Sequence, residues 1–338
     1  MSTAAQTIVG AGFVPLDVIL GPDGVPRCQA GGTCGNVVAS LAWFGWRAWP
    51  AAPLADDPAG RLVRDDLASF GVRVDLLSLE PPRATPVVVE SSPNRFSSSC
   101  PGCGSRLSRF ERMAPSNAER ILDVVPSPDV FVFDRASPAT IELAARYAGA
   151  GALVVYEPFA ARPPEMAAEA LRVAHVVKYA RQRFRTFEAF LPATGGPILE
   201  VQTLGADGLR WRPARKAPWV SLPAFPVERV VDTAGCGDWC TAGFIDRIGR
   251  RGAAGLRDAS AEEVSRALVH GQILSTWNLD FLGARGGQYG LDPAALLAHA
   301  ESGAAGGLPR PGGALPSLAG WKLCRACGWP EVRGMSAG

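Results

Sequence analysis

Between residues 130 and 203 the chain alternates short apolar runs with longer amphipathic ones, and this alternation limits the possible fold more than any other feature. Val130-Phe131-Val132-Phe133-Asp134 precedes Ala139-Thr140-Ile141-Glu142-Leu143-Ala144-Ala145-Arg146-Tyr147, and Ala152-Leu153-Val154-Val155-Tyr156-Glu157 precedes a helical pattern from Pro164 to Val173. His175-Val176-Val177-Lys178, a helical stretch near Phe184 to Leu191, and Pro197-Ile198-Leu199-Glu200-Val201-Gln202-Thr203 continue the series. Strands that are apolar throughout are buried on both faces, and the helices between them read as crossovers of a parallel sheet. The expected core is a three-layer α/β arrangement with ligands at the carboxyl ends of its strands.

A chain of 338 residues, 47% of them hydrophobic, can bury a substantial core as one large or two modest domains. Its formal net charge of +2 gives no electrostatic case for nucleic acid or a membrane surface. No apolar run approaches the roughly 20 residues of a spanning helix, and Met1-Ser2-Thr3-Ala4-Ala5-Gln6-Thr7 lacks a basic region before an apolar one. A soluble, cytoplasmic protein is expected.

The stretch from Val230 to Phe244 reads as an anion cradle with a base built into it. Val230 and Val231 predict the end of a strand, Asp232 to Gly237 a turn, and the apolar run from Trp239 a helix. Glycines at 235 and 237 let backbone N–H groups converge on one point, to which the helix adds the positive end of its dipole. Asp238 would repel a phosphate bound there unless it removes a proton from the nucleophile attacking that phosphate. The pattern points to phosphoryl transfer to a hydroxyl. Near the N-terminus, Gly31 and Gly32 allow a ligand to approach the backbone closely, and Asn36 offers both a donor and an acceptor.

The segment Asp232-Thr233-Ala234-Gly235-Cys236-Gly237-Asp238 closely resembles the D-T-x-G-A-G-D signature of the ribokinase-like (PfkB-type) carbohydrate kinases, with Cys236 where that family has Ala. Gly31-Gly32-Thr33-Cys34-Gly35-Asn36-Val37-Val38-Ala39-Ser40-Leu41-Ala42-Trp43-Phe44-Gly45 is similar to its G-G-x-x-x-N-x-A-x-x-L-A-x-L-G. Leu54-Ala55-Asp56-Asp57-Pro58-Ala59-Gly60 stands in place of its G-x-D-x-x-G, and Thr203-Leu204-Gly205-Ala206-Asp207-Gly208 resembles its T-x-G-x-x-G nucleotide loop. The resemblance implies a three-layer α/β/α ribokinase-like domain over residues 1–302 with a small β-lid built from about 13–30 and 83–113. It implies Asp238 as catalytic base, with Ala234, Gly235, Cys236 and Gly237 as the anion hole. Asp17, Gly31, Gly32 and Asn36 would meet the substrate, and Thr203, Gly205, Gly208, Thr233 and Asn278 the nucleotide. ATP as phosphoryl donor, Mg2+, a small sugar or nucleoside as substrate, and a homodimer through the lid follow from the same likeness. A P-loop is not part of this sequence. One family motif is replaced: where K-x-N-x-x-E is expected, the chain reads Lys178-Tyr179-Ala180-Arg181-Gln182-Arg183. Arg183 would then meet a nucleotide phosphate directly, in place of a carboxylate-held magnesium water.

Two of the eight cysteines fall in Cys100-Pro101-Gly102-Cys103-Gly104 and two in Cys324-Arg325-Ala326-Cys327-Gly328. Paired C-x-x-C-G knuckles supply a four-thiolate structural Zn2+ site, with a redox pair or two disulfides as the other readings. Cys100 and Cys103 would lie at the tip of the lid, while Cys324 and Cys327 belong to a tail, residues 321–338, beyond a Gly/Pro-rich linker at 303–320 expected to be flexible. Arg95, Arg106, Arg109 and Arg112 form a modest basic group on the lid, read either as a solvated face or as a grip on a substrate phosphate. The sequence thus supports an ATP-dependent kinase of a small alcohol. The other class it leaves open is a catalytically weak sugar- or nucleoside-binding protein that signals through a zinc-stabilised lid.

Overall fold

The structure, a computed structural model, describes residues 5–77, 84–92, 95–108, 110–159, 164–184, 196–213, 217–303, 305–310, 313–318, 321–322, 324 and 331–332. Six strands, β1 (Thr7–Ala11), β4 (Arg47–Ala51), β7 (Val130–Phe133), β8 (Leu153–Tyr156), β9 (Val176–Ala180) and β10 (Leu199–Thr203), run parallel in the order β10-β9-β8-β7-β1-β4. β11 (Leu209–Pro213) and β12 (Val220–Leu222) extend the β10 edge antiparallel. Every residue of β7 and β8 is buried, as expected of strands covered on both sides. Alternate residues feed two separate cores: Ile8, Val130 and Val132 share one with α1 (Gly32–Trp43) and α6 (Cys236–Ile248), while Val9, Phe131 and Phe133 share the other with α3 (Ser116–Val124), α4 (Pro138–Gly149) and α5 (Pro164–Val173). α8 (Ala261–Asn278) packs along α6, where Gly271 is needed because a Cβ there would sit 2.3 Å from the Cys240 carbonyl oxygen. The expected three-layer core is present. The helix expected near 184–191 falls almost wholly outside the described residues.

A second sheet, in the order β3-β2-β5-β6, forms the lid from β2 (Leu16–Leu20), β3 (Pro26–Ala30), β5 (Val87–Ser92) and β6 (Arg95–Ser97). Its return to the body is pinned by Asp57, which caps α2 (Pro58–Ser69) by accepting from the Gly60 N–H (2.7 Å) and accepts from the Thr85 N–H (2.8 Å). Gly60 cannot be larger, since a Cβ would lie 2.1 Å from the Ala55 carbonyl oxygen. The aspartate and second glycine of the 54–60 motif are thus explained by a helix cap and a close backbone crossing.

Two expectations are revised. Val230 and Val231 do not end a strand: β12 stops at Leu222, prolines at 223 and 226 break the ladder, and the Val231 N–H instead donates to the Leu279 carbonyl (2.7 Å). The stretch expected as a flexible linker is docked over residues 315–318, where Leu315 and Leu318 are buried and the Cys28 N–H donates to Pro316 O (3.0 Å). Among the described residues, no helix is long and apolar enough to cross a membrane.

Candidate active site

Gly235 caps α6 with a φ of +73°, and a Cβ there would collide with the Ala284 carbonyl oxygen at 2.4 Å, so both backbone conformation and space demand glycine. Asp232 is fully buried and shapes the turn, accepting from the N–H groups of Ala234 (2.9 Å) and Gly283 (2.8 Å). Asn278, on α8, donates to the Ala234 carbonyl (2.7 Å). Expected to contact nucleotide, Asn278 is wholly buried beneath the turn and braces it instead. Gly237 and Thr233 are exposed; the Cys236 N–H donates to Thr233 O (3.3 Å) and the Trp239 N–H to Gly235 O (2.9 Å), which leaves the Gly237 backbone and the helix dipole to face the cleft.

Asp238 stands in that first turn and accepts from Asn36 Nδ2 at 2.7 Å. Burial and the nearby Glu157 raise its pKa to about 6, against hydrogen bonds from Asn36 and Thr33 and the charge of Lys178. It is therefore mainly ionised at neutral pH yet close to the point of taking a proton. Lys178, buried at β9, is bound to Glu157 at 2.8 Å, and Glu157 accepts from the Thr241 hydroxyl. Burial opposes the lysine's charge, but Glu157 and other neighbours hold its pKa above the usual lysine value. A Cβ on Gly237 would lie 3.6 Å from Lys178 Nζ, which puts this ammonium beside the glycine turn expected to form the anion hole. Neither Lys178 nor Glu157 was singled out as a site residue from sequence. The available signal was a charge closing each of the apolar runs Val176-Val177-Lys178 and Val154-Val155-Tyr156-Glu157.

Across the cleft, Asp17 projects from the lid against Gly31, where a Cβ would fall 1.9 Å from its carboxylate. Gly32, with φ of +76°, lies under the Phe13 carbonyl. Burial and Glu90 push Asp17 up to about 8, with Arg285 opposing and Asp238 and Asp66 adding to the rise. A protonated Asp17 can both donate to and accept from a ligand hydroxyl. Asn36 is buried with its amide engaged on both sides: Nδ2 faces Asp238, and Oδ1 accepts from Arg285 Nε at 3.2 Å. Asn36, expected to meet the substrate, is thus already engaged by Asp238 and Arg285.

Arg285 is the unforeseen centre of this region. It is fully buried, and besides Asn36 its guanidinium donates to Ala30 O (2.8 Å), Gln288 Oε1 (3.1 Å) and the Asp66 carboxylate, which also accepts from the Tyr289 hydroxyl. One side chain therefore ties the base of the lid to α1, α2 and the loop after α8.

Of the expected nucleotide residues, Thr203 ends β10 and Gly205 and Gly208 shape the turn into β11, with φ of +68° and +92°. Arg183 is exposed and stacks over Phe159, 5.2 Å from the ring centroid, beyond the end of β9. Ala180 and Arg183 occupy the positions where the resemblance expects Asn and Glu. A cavity of about 120 Å³ beside the ends of β7 and β8 is lined by Phe110, Arg112, Asp134, Arg135 and Tyr156 among others. Its Arg135 is paired with Asp134 (2.8 Å) and stacked on Phe159. Arg95, Arg106 and Arg112 are exposed, and Arg109 lies outside the described residues.

No family model matches this chain. No curated protein matches it either. Solved structures do. Aminoimidazole riboside kinase from Salmonella enterica, in complex with aminoimidazole riboside and an ATP analog, is 20% identical with a TM-score of 0.66, over 87% of this chain and 99% of that one. A fructokinase from Vibrio cholerae bound to fructose, ADP and calcium is 19% identical with a TM-score of 0.62, over 83% and 95%. An uncharacterized sugar kinase from Pyrococcus horikoshii is 16% identical with a TM-score of 0.65, over 82% and 93%. With a parallel-rich sheet between two helical layers and a β-lid set against its carboxyl edge, the protein has the ribokinase-like fold of these kinases.

Proposed function

We propose that the protein is an ATP-dependent kinase that phosphorylates a hydroxyl of a sugar, nucleoside or related small alcohol. The observation that carries this reading is Asp238: a carboxylate with a pKa near 6, in the first turn of a helix whose exposed N–H groups suit an anion. The acceptor hydroxyl would lie between Asp17 and Asp238 and give its proton to Asp238. Its oxygen bonds to the γ-phosphorus as the bridging bond to the β-phosphate breaks, and ADP leaves. Within the turn at 234–237 the N–H groups of Gly235 and Gly237 would hold the transferring phosphoryl, while those of Ala234 and Cys236 are spent on Asp232 and Thr233 and fix the turn, and Lys178 adds positive charge beside Gly237. Thr203, Gly205, Gly208 and Thr233 are proposed to line the nucleotide, with Arg183 toward its phosphates. Gly31 and Gly32 keep the lid base close enough for Asp17 to reach the substrate.

Magnesium would neutralise the triphosphate, but the chain lacks the Asn and Glu that the resemblance assigns to its waters, and the nearby Glu157 is already held by Lys178 and Thr241. No residue here is assigned to that ion. The same replacement favours the second reading, a weakly catalytic binder.

The deciding experiment is a panel of sugars and nucleosides incubated with ATP and magnesium, scored for ADP and phosphorylated product. The expected result is stoichiometric product from at least one acceptor. Saturable binding of an acceptor and ATP with no transfer across the panel would select the binder.

A further inference from the structure

The lid sheet has two faces. Alternation along β2 turns Asp17 and Ile19 to the cleft and Leu16 and Val18 to the back, and the strand register sets Cys28, Val87 and Val89 beside them. All five back residues are 4% exposed or less and share a buried cluster with Cys100, Leu107 and Leu318, against which Cys324 packs.

Two remote pieces of chain help cover this face. After β6 the knuckle loop folds back on itself: Gly104 N–H donates to Cys100 O, Cys100 N–H to Ser105 O and Leu107 N–H to Ser98 O, each at 2.8 Å. The C-terminal segment lies along the outer edge of β3, with Leu318 N–H donating to Pro26 O (2.8 Å). It then forms a small ribbon in which β13 (Trp321–Lys322) pairs antiparallel with β14 (Glu331–Val332), leaving Cys324 and Cys327 in the connecting stretch.

The sulfurs of Cys100, Cys103 and Cys324 lie within 4.8 Å of one another. Four thiolates at about 2.3 Å from a tetrahedral zinc stand about 3.8 Å apart, so little movement would close the set. Gly102 lets the knuckle lie against the tail, since a Cβ there would be only 3.2 Å from Cys324 Cβ. Cys327 lies outside the described residues and is the fourth thiol by its place in the second C-x-x-C. Two disulfides would also consume four thiols, but a bond made within each C-x-x-C does not call for the Cys324 sulfur to sit close to both Cys100 and Cys103, as a shared ion does.

We propose that Cys100, Cys103, Cys324 and Cys327 bind one structural zinc ion that clasps the C-terminal ribbon to the lid and closes the back of the lid with the chain's own tail. Four thiolates leave no open coordination position, so this centre takes no part in phosphoryl transfer and stands independently of it. The clasp replaces a second copy of the chain as the cover of this face; a homodimer through the lid would have to use other lid surface.

Metal analysis of full-length protein purified under reducing conditions should find about one zinc per chain. Cys103→Ser, at an exposed position, and a Cys324→Ser/Cys327→Ser double variant should each lose that zinc and gain protease cuts both near 95–112 and after 303, while the α/β core melts cooperatively. Metal-free wild type overturns the proposal, as does full zinc occupancy in the double variant, or missing free thiols in zinc-free unreduced protein. Metal content is read without ATP, so failure here leaves the kinase reading untouched, and the converse holds.

Discussion

Around the proposed base, Asp238, Asn36, Arg285 and Asp66 form an unbroken line of hydrogen bonds and ion pairs, whereas at the proposed nucleotide end Arg183 lies in solvent on Phe159, and Gly205 and Gly208 offer backbone alone. The proposed acceptor half is cross-linked by side-chain bonds before any ligand arrives; the proposed donor half is sparse. Fixed groups aimed where charge changes act without reorganisation, so the chemistry is prepared on the acceptor side. The proposed donor side would depend on what the nucleotide brings, and Arg183 stands there where the resembled motif has an acid.

The sharpest way to break this contrast is Arg285→Met. It leaves the Asp66 carboxylate, whose side chain is 7% exposed, with only the Tyr289 hydroxyl and the Ala30 N–H and no countercharge, and it leaves Asn36 Oδ1 without its donor; loss of one partner of a buried pair typically costs about 3–5 kcal/mol. The expected outcome is a large drop in melting temperature, partly recovered by adding Asp66→Asn. A melting temperature equal to wild type would mean the network is not what holds the lid base.

The pH dependence separates the two acids. With Asp238 near 6, kcat/KM should rise about tenfold per pH unit below that value and level off above it. With Asp17 near 8 and needed as a donor, activity should fall again above that pH, and Asp17→Asn should remove the alkaline limb. Both values are raised above 3.8, so both groups favour the folded, ligand-free protein at acidic pH. That contribution is complete below about 4 and is lost as pH climbs through about 6 and then about 8. A pH-independent rate from 5 to 9 would contradict these assignments.

Arg183→Glu should have the smallest effect, a few-fold weakening of nucleotide binding that grows at low magnesium. Unchanged affinity would assign Arg183 to the solvated surface, the ordinary place for arginine.

The core was legible because fully buried strands cannot hide their composition: Val130–Phe133 and Leu153–Tyr156 fall within the apolar runs read from sequence, and α5 spans the Pro164–Val173 expected of it. The turn at 232–238 was legible because glycine at 235 is demanded by a positive φ. Val230 and Val231 misled, since β-branched residues also suit extended loop when prolines interrupt pairing. Arg285 gave no periodic or motif signal; its partners Ala30, Asn36 and Asp66 are distant in sequence, and only the closed fold joins them. Asn36 and Asn278 were recognised as special, but sequence could not tell a residue that touches ligand from one that holds the residue that does.

Removal of the acceptor's proton by Asp238 is tested most directly by turnover of Asp238→Asn with the best acceptor from the panel, alongside ATP binding by the same variant. The side chain keeps its size and can still meet Asn36, so the fold and the anion hole should persist. A base at Asp238 predicts a loss of kcat of about 10²-fold or more with nucleotide affinity nearly unchanged. Turnover equal to wild type would contradict it.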